Sequence, residues 1–313
     1  MYTKTSHSLE GLAERVRETA TEVLWTQWAS VGGLASARDH AESIVDPEAL
    51  LLLSLAFREQ DRRLWDLVAD WARVGSRYLS VQRVGNLLPA YPEATQASLR
   101  EFASLAHRIG KDHRWKKYAE RATLAEPHRE KHLVDEPTLD MPSTLMLRLR
   151  LGVGVGIKAD MLTFLIGVEG SATTARSIAA ATHYTEPAVR RALEAMAKAR
   201  LVFASAGVPA EYHLNGPAWK RVLDLPRYPA WLYWHEVFSF VAQFLTWEVQ
   251  THVHPASEYA RLVRYRQFLS DHRVAFARHR LVPEARPRAP ELGHAKEFED
   301  LVAQLMEKIA AAV

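Results

Sequence analysis

Apolar residues recur at spacings of three and four along most of the chain, a period that predicts a protein built chiefly from helices. Near the N-terminus Ser8 caps SLEGLAERVRETATEVLWTQWAS, with Leu12, Val16 and Ala20 along one side. A short helix is expected from Ser36 to Ile44, with Ser36 as its cap. Asp46-Pro47-Glu48 is a start signal: a cap, a proline at the first helical position and an acid in the first turn. It leads into ALLLLSLAF, apolar on every side and therefore expected to be fully buried. Asp61 opens DRRLWDLVADWARV, whose Leu64, Val68, Trp71 and Val74 form a core stripe. Ser80 to Val84 runs into a further helix, and Ser98 begins LREFASLAHRIG. Between Glu126 and Ser143 the apolar period disappears and Pro127, Pro137 and Pro142 mark a linker.

The next stretch, Leu145 to Ile157 (LMLRLRLGVGVGI), alternates apolar residues with Arg148 and Arg150 and then with glycines, and reads as an extended lead into the following unit. Its glycines lack the Gly-x-Gly-x-x-Gly spacing and the strand–helix–strand context of a dinucleotide site. From Ala159 to Asn215 three helix-like runs precede a short hairpin: ADMLTFLIGVEG, TTARSIAAATHY, TEPAVRRALEAMAKARLV and FASAGVPAEYHLN. Thr174 caps the second run, where Ile178 and the small Ala175, Ala179 and Ala181 make a narrow apolar stripe. Thr182-His183-Tyr184 forms a turn, with Tyr184 as its apolar plug. Thr185 is placed to cap the third run, followed by Glu186 and Pro187. Val189, Leu193 and Met196 then face inward at i, i+4 and i+7. Pro187, Arg191, Glu194 and Lys198 point the other way, with Arg190 on the flank. Leu201-Val202-Phe203 and Tyr212-His213-Leu214 read as two strands turned by Gly207-Val208-Pro209.

These residues form the pattern of a winged helix-turn-helix. The stretch TARSIAAATHYTEPAVRRALEAMAKARLV…AEYHLN resembles the MarR/ArsR-type winged-helix domains of bacterial regulators, over roughly one fifth of the chain. Ser205, Ala206 and Gly207 depart from the usual basic wing tip. The resemblance implies a DNA-binding regulator whose third module helix reads double-stranded DNA, and flanking helices through which such proteins often form homodimers. Arg190 and Arg191 are then phosphate clamps or bidentate readers of guanine, and Glu194 a reader of cytosine or a residue out of contact. Thr185 supports the helix start, and Thr173 and Arg176 touch phosphate from the first motif helix. The order of a helical region with Asp-Pro-Glu-Ala-Leu-Leu-Leu and Ser-Val-Gln-Arg before a winged helix also resembles repressors paired with a nucleotidyltransferase in toxin–antitoxin-like operons. The competing expectation is a protein-interaction scaffold whose winged helix never meets DNA.

Tyr228, Trp231, Tyr233, Trp234, Phe238, Phe240, Phe244 and Trp247 follow the module, fitting a core helix or an oligomer interface. Arginines crowd Glu258 to Arg288, broken by Pro283, Pro287 and Pro290, before an amphipathic helix through Phe298, Leu301, Leu305 and Ile309. A second basic run, Arg108, Lys111, Arg114, Lys116, Lys117 and Arg121, is expected to be a solvated face, the alternative being a phosphate-contacting patch. The expected architecture is thus mainly α, with a multi-helical region at 1–144, the winged helix at 145–222 and a helical, aromatic-rich and basic region at 223–313.

Composition adds little beyond this. With 313 residues, 48% hydrophobic and 25% charged, the chain has ample material for a core. A net charge of +3 and a pI near 9.0 are compatible with nucleic acid. No cysteine is present, which excludes disulfides and thiolate chemistry. No run of apolar residues reaches membrane-spanning length, and no signal peptide opens the chain, so a cytoplasmic protein is expected. His252-Val253-His254 and His235 lack a carboxylate at ligand spacing, and no nucleophile elbow, P-loop or paired-carboxylate signature occurs. No cofactor, metal or enzymatic activity is expected.

Overall fold

The computed structural model describes residues 3–33, 41–120, 132–253, 257–281 and 293–313, and within them the chain forms fifteen α-helices and one small sheet. The first part holds α1 (Thr3–Ser30), α2 (Pro47–Ala56), α3 (Arg62–Val74), α4 (Val81–Leu87), α5 (Ala94–Arg108) and the single turn α6 (Lys116–Ala119). Then come α7 (Leu145–Val153), α8 (Ile157–Gly167), β1 (Thr173–Thr174), α9 (Ala175–Thr182), α10 (Glu186–Lys198), β2 (Phe203–Ala204), β3 (Glu211–His213) and α11 (Gly216–Val222). The chain ends with α12 (Trp234–Val253), α13 (Glu258–Asp271), α14 (Arg273–Arg278) and α15 (Gly293–Ala310). No helix among the described residues is long and apolar enough to cross a membrane.

Local chemistry accounts for several of the helix starts. Asp46 accepts from the Ala49 N–H, Asp61 from those of Arg63 and Leu64, Ser80 from that of Arg83 and Thr174 from that of Ser177. Two expected caps are not caps. Ser8 lies within α1, and Ser98 within α5, which begins at Ala94. Ser36 lies outside the described residues, and Ala41 to Ile44 are not helical. Glu126 and Pro127 of the expected linker, His254, and the loop with Pro283, Arg286, Pro287, Arg288 and Pro290 also lie outside them.

The segment expected to be extended is instead the helix α7. Its Leu–Arg alternation also sets Leu145 with Leu149 and Met146 with Arg150 at helical spacing, and all four side chains are buried. The helix stops where Gly154 and Gly156 take φ of +99° and +143°, a region that favours glycine. The sheet has the order β1-β3-β2, antiparallel throughout, with Thr173 opposite Tyr212 and Phe203 opposite His213. Sequence reasoning anticipated the hairpin near these positions but not β1.

Buried apolar side chains gather into two clusters. The first unites α1 to α5 with α12 to α15, including Trp28, Trp71, Phe102, Phe240, Phe244 and Phe298. The second unites α8 to α11 with Ile44, Leu149 and Trp231. From Trp234 onward the aromatic-rich segment fills the interior shared with the N-terminal helices, where Phe240 meets Phe276 at 5.3 Å and Phe244 meets Phe298 at 6.0 Å, while Tyr228, Trp231 and Tyr233 pack in the second cluster. On α15, Phe298, Leu301, Leu305 and Ile309 all face inward. Truncating Phe244 to Ala should cost about 3–5 kcal/mol, seen as a lower urea midpoint with an unchanged oligomeric mass. A change of mass with stability retained would contradict an intrachain role for this ring.

Candidate functional site

Helix α10 divides cleanly into two faces. Val189, Leu193 and Met196 are buried, whereas Pro187, Arg190, Arg191, Glu194 and Lys198 are exposed, as the helical period requires. Arg190 donates to Glu186 one turn earlier at 2.6 Å, and both side chains stay in solvent, where such a pair is weak. Arg191 and Lys198 make no ion pair among the described residues. Arg176 is exposed in the first turn of α9, and Thr173 is half-buried in β1. Thr185 stands at the cap position with extended backbone, yet its hydroxyl makes no capping bond. The expected cap is thus present in place but not in chemistry.

The hairpin is closed by two bonds, Ser205 N–H to Glu211 O at 2.8 Å and Glu211 N–H to Ser205 Oγ at 2.9 Å. Phe203 stacks on His213 at 5.4 Å, and Val208 at the tip is fully exposed. The tip, Ser205 to Pro209, carries no charge.

The turn between α9 and α10 is held from behind by buried charges. Arg83 of α4 donates Nε–H to Thr182 O at 3.0 Å and its two Nη groups to Asp46 and Glu48, each at 2.6 Å. Arg150 of α7 forks onto Asp160 at 2.7 and 3.0 Å and onto Glu48 at 2.6 and 2.9 Å. The Tyr184 hydroxyl donates to Asp160 Oδ2 at 2.8 Å, and Ser80 N–H donates to Glu48 at 2.7 Å. Next to them Asn86 donates to His183 O at 2.9 Å. Tyr184 is therefore more than an apolar plug, because its ring is buried and its hydroxyl completes the network.

Arg83, Arg150, Glu48 and Asp160 have essentially no exposure to solvent. Burial alone would raise the Asp46 carboxyl, but the Arg83 guanidinium and the Ala49 N–H hold it well below the usual carboxylate range. Burial opposes the charge of both arginines, and the carboxylates beside them overcome it and raise both. Burial and the Asp160 carboxylate push the Tyr184 phenol up, which keeps it a donor.

On its far side the turn meets the start of α12. His183, in the left-handed region at φ +58°, packs its ring 4.3 Å from that of His235, and its Nε2 lies 3.3 Å from Glu236 Oε1. Burial, and then the neighbouring His183, hold His235 well below the usual histidine range. Among the described residues no group of three His, Asp or Glu side chains is placed to hold a metal ion.

Sequence reading missed Arg83, Asp46, Glu48, Arg150 and Asp160 as a group. The signal was isolated charges in otherwise apolar stretches: Glu48 before ALLLLSLA, Arg150 (beside Arg148) in LMLRLRL and Asp160 in ADMLTFL. A charge so placed needs a partner, because an unpaired buried ion is intolerable.

Replacing Arg83 or Arg150 by Met should destabilise the protein by about 3–5 kcal/mol, since each leaves buried carboxylates uncompensated. A loss below about 1 kcal/mol in denaturant melts would contradict the network. Asp46 and His235 both bind protons more readily once the chain unfolds. Stability is therefore full at neutral pH and declines on acidification, first below about pH 6.5 through His235 and then below about pH 4 through Asp46. His272 and His279, also lowered by burial, share the first stage. His235→Phe should make that first decline in urea midpoint shallower and leave the second; an unaltered first stage would remove His235 from the account.

No protein-family model, curated protein or solved structure matches the chain, so the functional reading is carried by these residues and their geometry.

Proposed function

We propose that the protein is a DNA-binding transcriptional regulator in which α8 to α11 and the small sheet act as a winged helix-turn-helix. The order helix, strand, helix, helix, strand, strand, with β1 and β2 flanking β3, fits that module. The observation that carries the reading is the outward face of α10. Among the described residues Arg191 and Lys198 are uncommitted, Arg190 is held only by its helical neighbour Glu186, and no other described segment covers them. Such a helix presents guanidinium groups to base edges and phosphates, with Arg176 and Thr173 near the flanking strand. Thr185 and Pro187 form the leading edge that enters the groove first, and Glu194 stands among the cations as a selector against a misplaced phosphate.

The partnership with a nucleotidyltransferase stays within this proposal. The segments that carry that resemblance put Asp46, Glu48 and Arg83 into the interior, so a partner would be met by other residues of the helical region. The second reading, a protein-interaction scaffold, draws on the wing. Phe203 is half-exposed, Val208 wholly so, and the tip carries no cation to meet a phosphate.

Titrating a random-sequence duplex against rising salt separates the two readings. The DNA reading expects log affinity to fall with log salt by about 0.9 per phosphate contact, and the Arg190→Ala/Arg191→Ala variant to lose one to two units of slope. Wild-type protein that binds no duplex at low salt would leave the scaffold as the better account. Equal slopes for wild type and variant would take the arginine pair out of the interface.

A further inference from the structure

A strongly basic surface lies one short helix away from the turn that leads into α10. Between Arg108 and Lys117 the chain carries five Lys or Arg and a single acid. Arg114 is consumed internally: it grips Asp112 and donates to Leu79 O and Ser76 O, each at 3.1 Å. Arg108, Lys111, Lys116 and Lys117 are left exposed, and among the described residues only Lys116 pairs with an acid, Glu120 at 3.7 Å.

Two independent bridges fix this surface relative to α10. In one, Arg114 holds Leu79, the next residue is Ser80, and the Ser80 hydroxyl lies 3.4 Å from that of Tyr184, one residue before Thr185. In the other, the Tyr118 hydroxyl sits 3.0 Å from where a Cβ on Gly85 would be, and the following Asn86 holds His183 O. The spacer between patch and turn is the seven-residue α4, whose outward residues Gln82 and Asn86 are uncharged.

We infer that Arg108, Lys111, Lys116 and Lys117 form a second DNA contact, gripping the backbone phosphates beside the groove that α10 occupies. The inference rests on the proposed DNA reading and extends its footprint from the module to the helical region. The major groove is about 12 Å wide and a helix with its side chains fills most of that width. Cations held to one side of that leading turn, one short helix away, are therefore in a position to reach the strand that borders the groove on that side. Positive charge there meets the partner of opposite sign, and such contact carries no sequence information.

The test uses a random-sequence duplex of about four helical turns, roughly 40 base pairs, with affinity measured across a salt series. Lys111→Gln/Lys116→Gln/Lys117→Gln should lower the salt slope by about two to three units, close to 0.9 per lost contact, and weaken binding at least tenfold at moderate salt. The charge-preserving Lys111→Arg/Lys116→Arg/Lys117→Arg variant should restore both, which a loss of folding could not mimic. The Arg190→Ala/Arg191→Ala variant should keep the patch's share of the slope. A Gln variant with the wild-type slope, alongside a reduced slope for the arginine pair, would overturn this inference and leave the proposed function standing. Absence of any binding by the wild-type protein would overturn both.

Discussion

Two guanidinium groups and three carboxylates, shut away from water between α2, α4, α7, α8 and the start of α10, set the geometry on which everything outside them depends. Charges in such a place cost several kcal/mol each to desolvate, and they persist only because every fork is filled. The planar arginine fork suits this task, since each guanidinium meets two carboxylates at defined angles. Such a cluster adds little net stability compared with apolar residues of the same volume. What it adds here is direction. Arg83 reaches the Thr182 carbonyl, Arg150 orients Asp160, and Asp160 receives Tyr184. The turn that launches α10 is thereby fixed against the helical body.

The surface follows from that interior. With the apolar side of α10 committed to the second core and its leading turn pinned from behind, the arginine-bearing side is left exposed among the described residues. The same anchoring ties the turn before α10 to the basic residues near α6, because α4 touches that turn at His183 and Tyr118 of α6. A surface held in one arrangement before contact loses less conformational entropy when a partner arrives. The packing of α12 against α2 and the His183 contact at its start close the far side of the turn.

The period of apolar residues made the helical architecture legible, and cap chemistry placed the starts of α2, α3 and α9 within a residue or two. The inward row Val189, Leu193 and Met196 and the outward row Arg190, Arg191, Glu194 and Lys198 were also readable, because a single amphipathic helix encodes both. Long-range pairing was not readable. Nothing local to Arg83 says that Asp46 is its partner 37 positions away, and Arg150 disguised a buried helix as an alternating strand. Thr185 shows the converse: a residue type that predicts a cap marks the right position while its hydroxyl makes no capping bond. Segment boundaries told even less about packing, since the helices after Trp234 complete a core begun at Leu9.

Amide hydrogen exchange, with and without a long duplex, tests the central claim that a pinned α10 offers its outer face to DNA. The account predicts slow exchange through the Thr182–Thr185 turn in the free protein. On adding DNA it predicts new protection along the N-terminal half of α10 and the first turn of α9, with none at Ser205 to Pro209. Rapid exchange through that turn in the free protein, or DNA-induced protection confined to the hairpin tip, would contradict it.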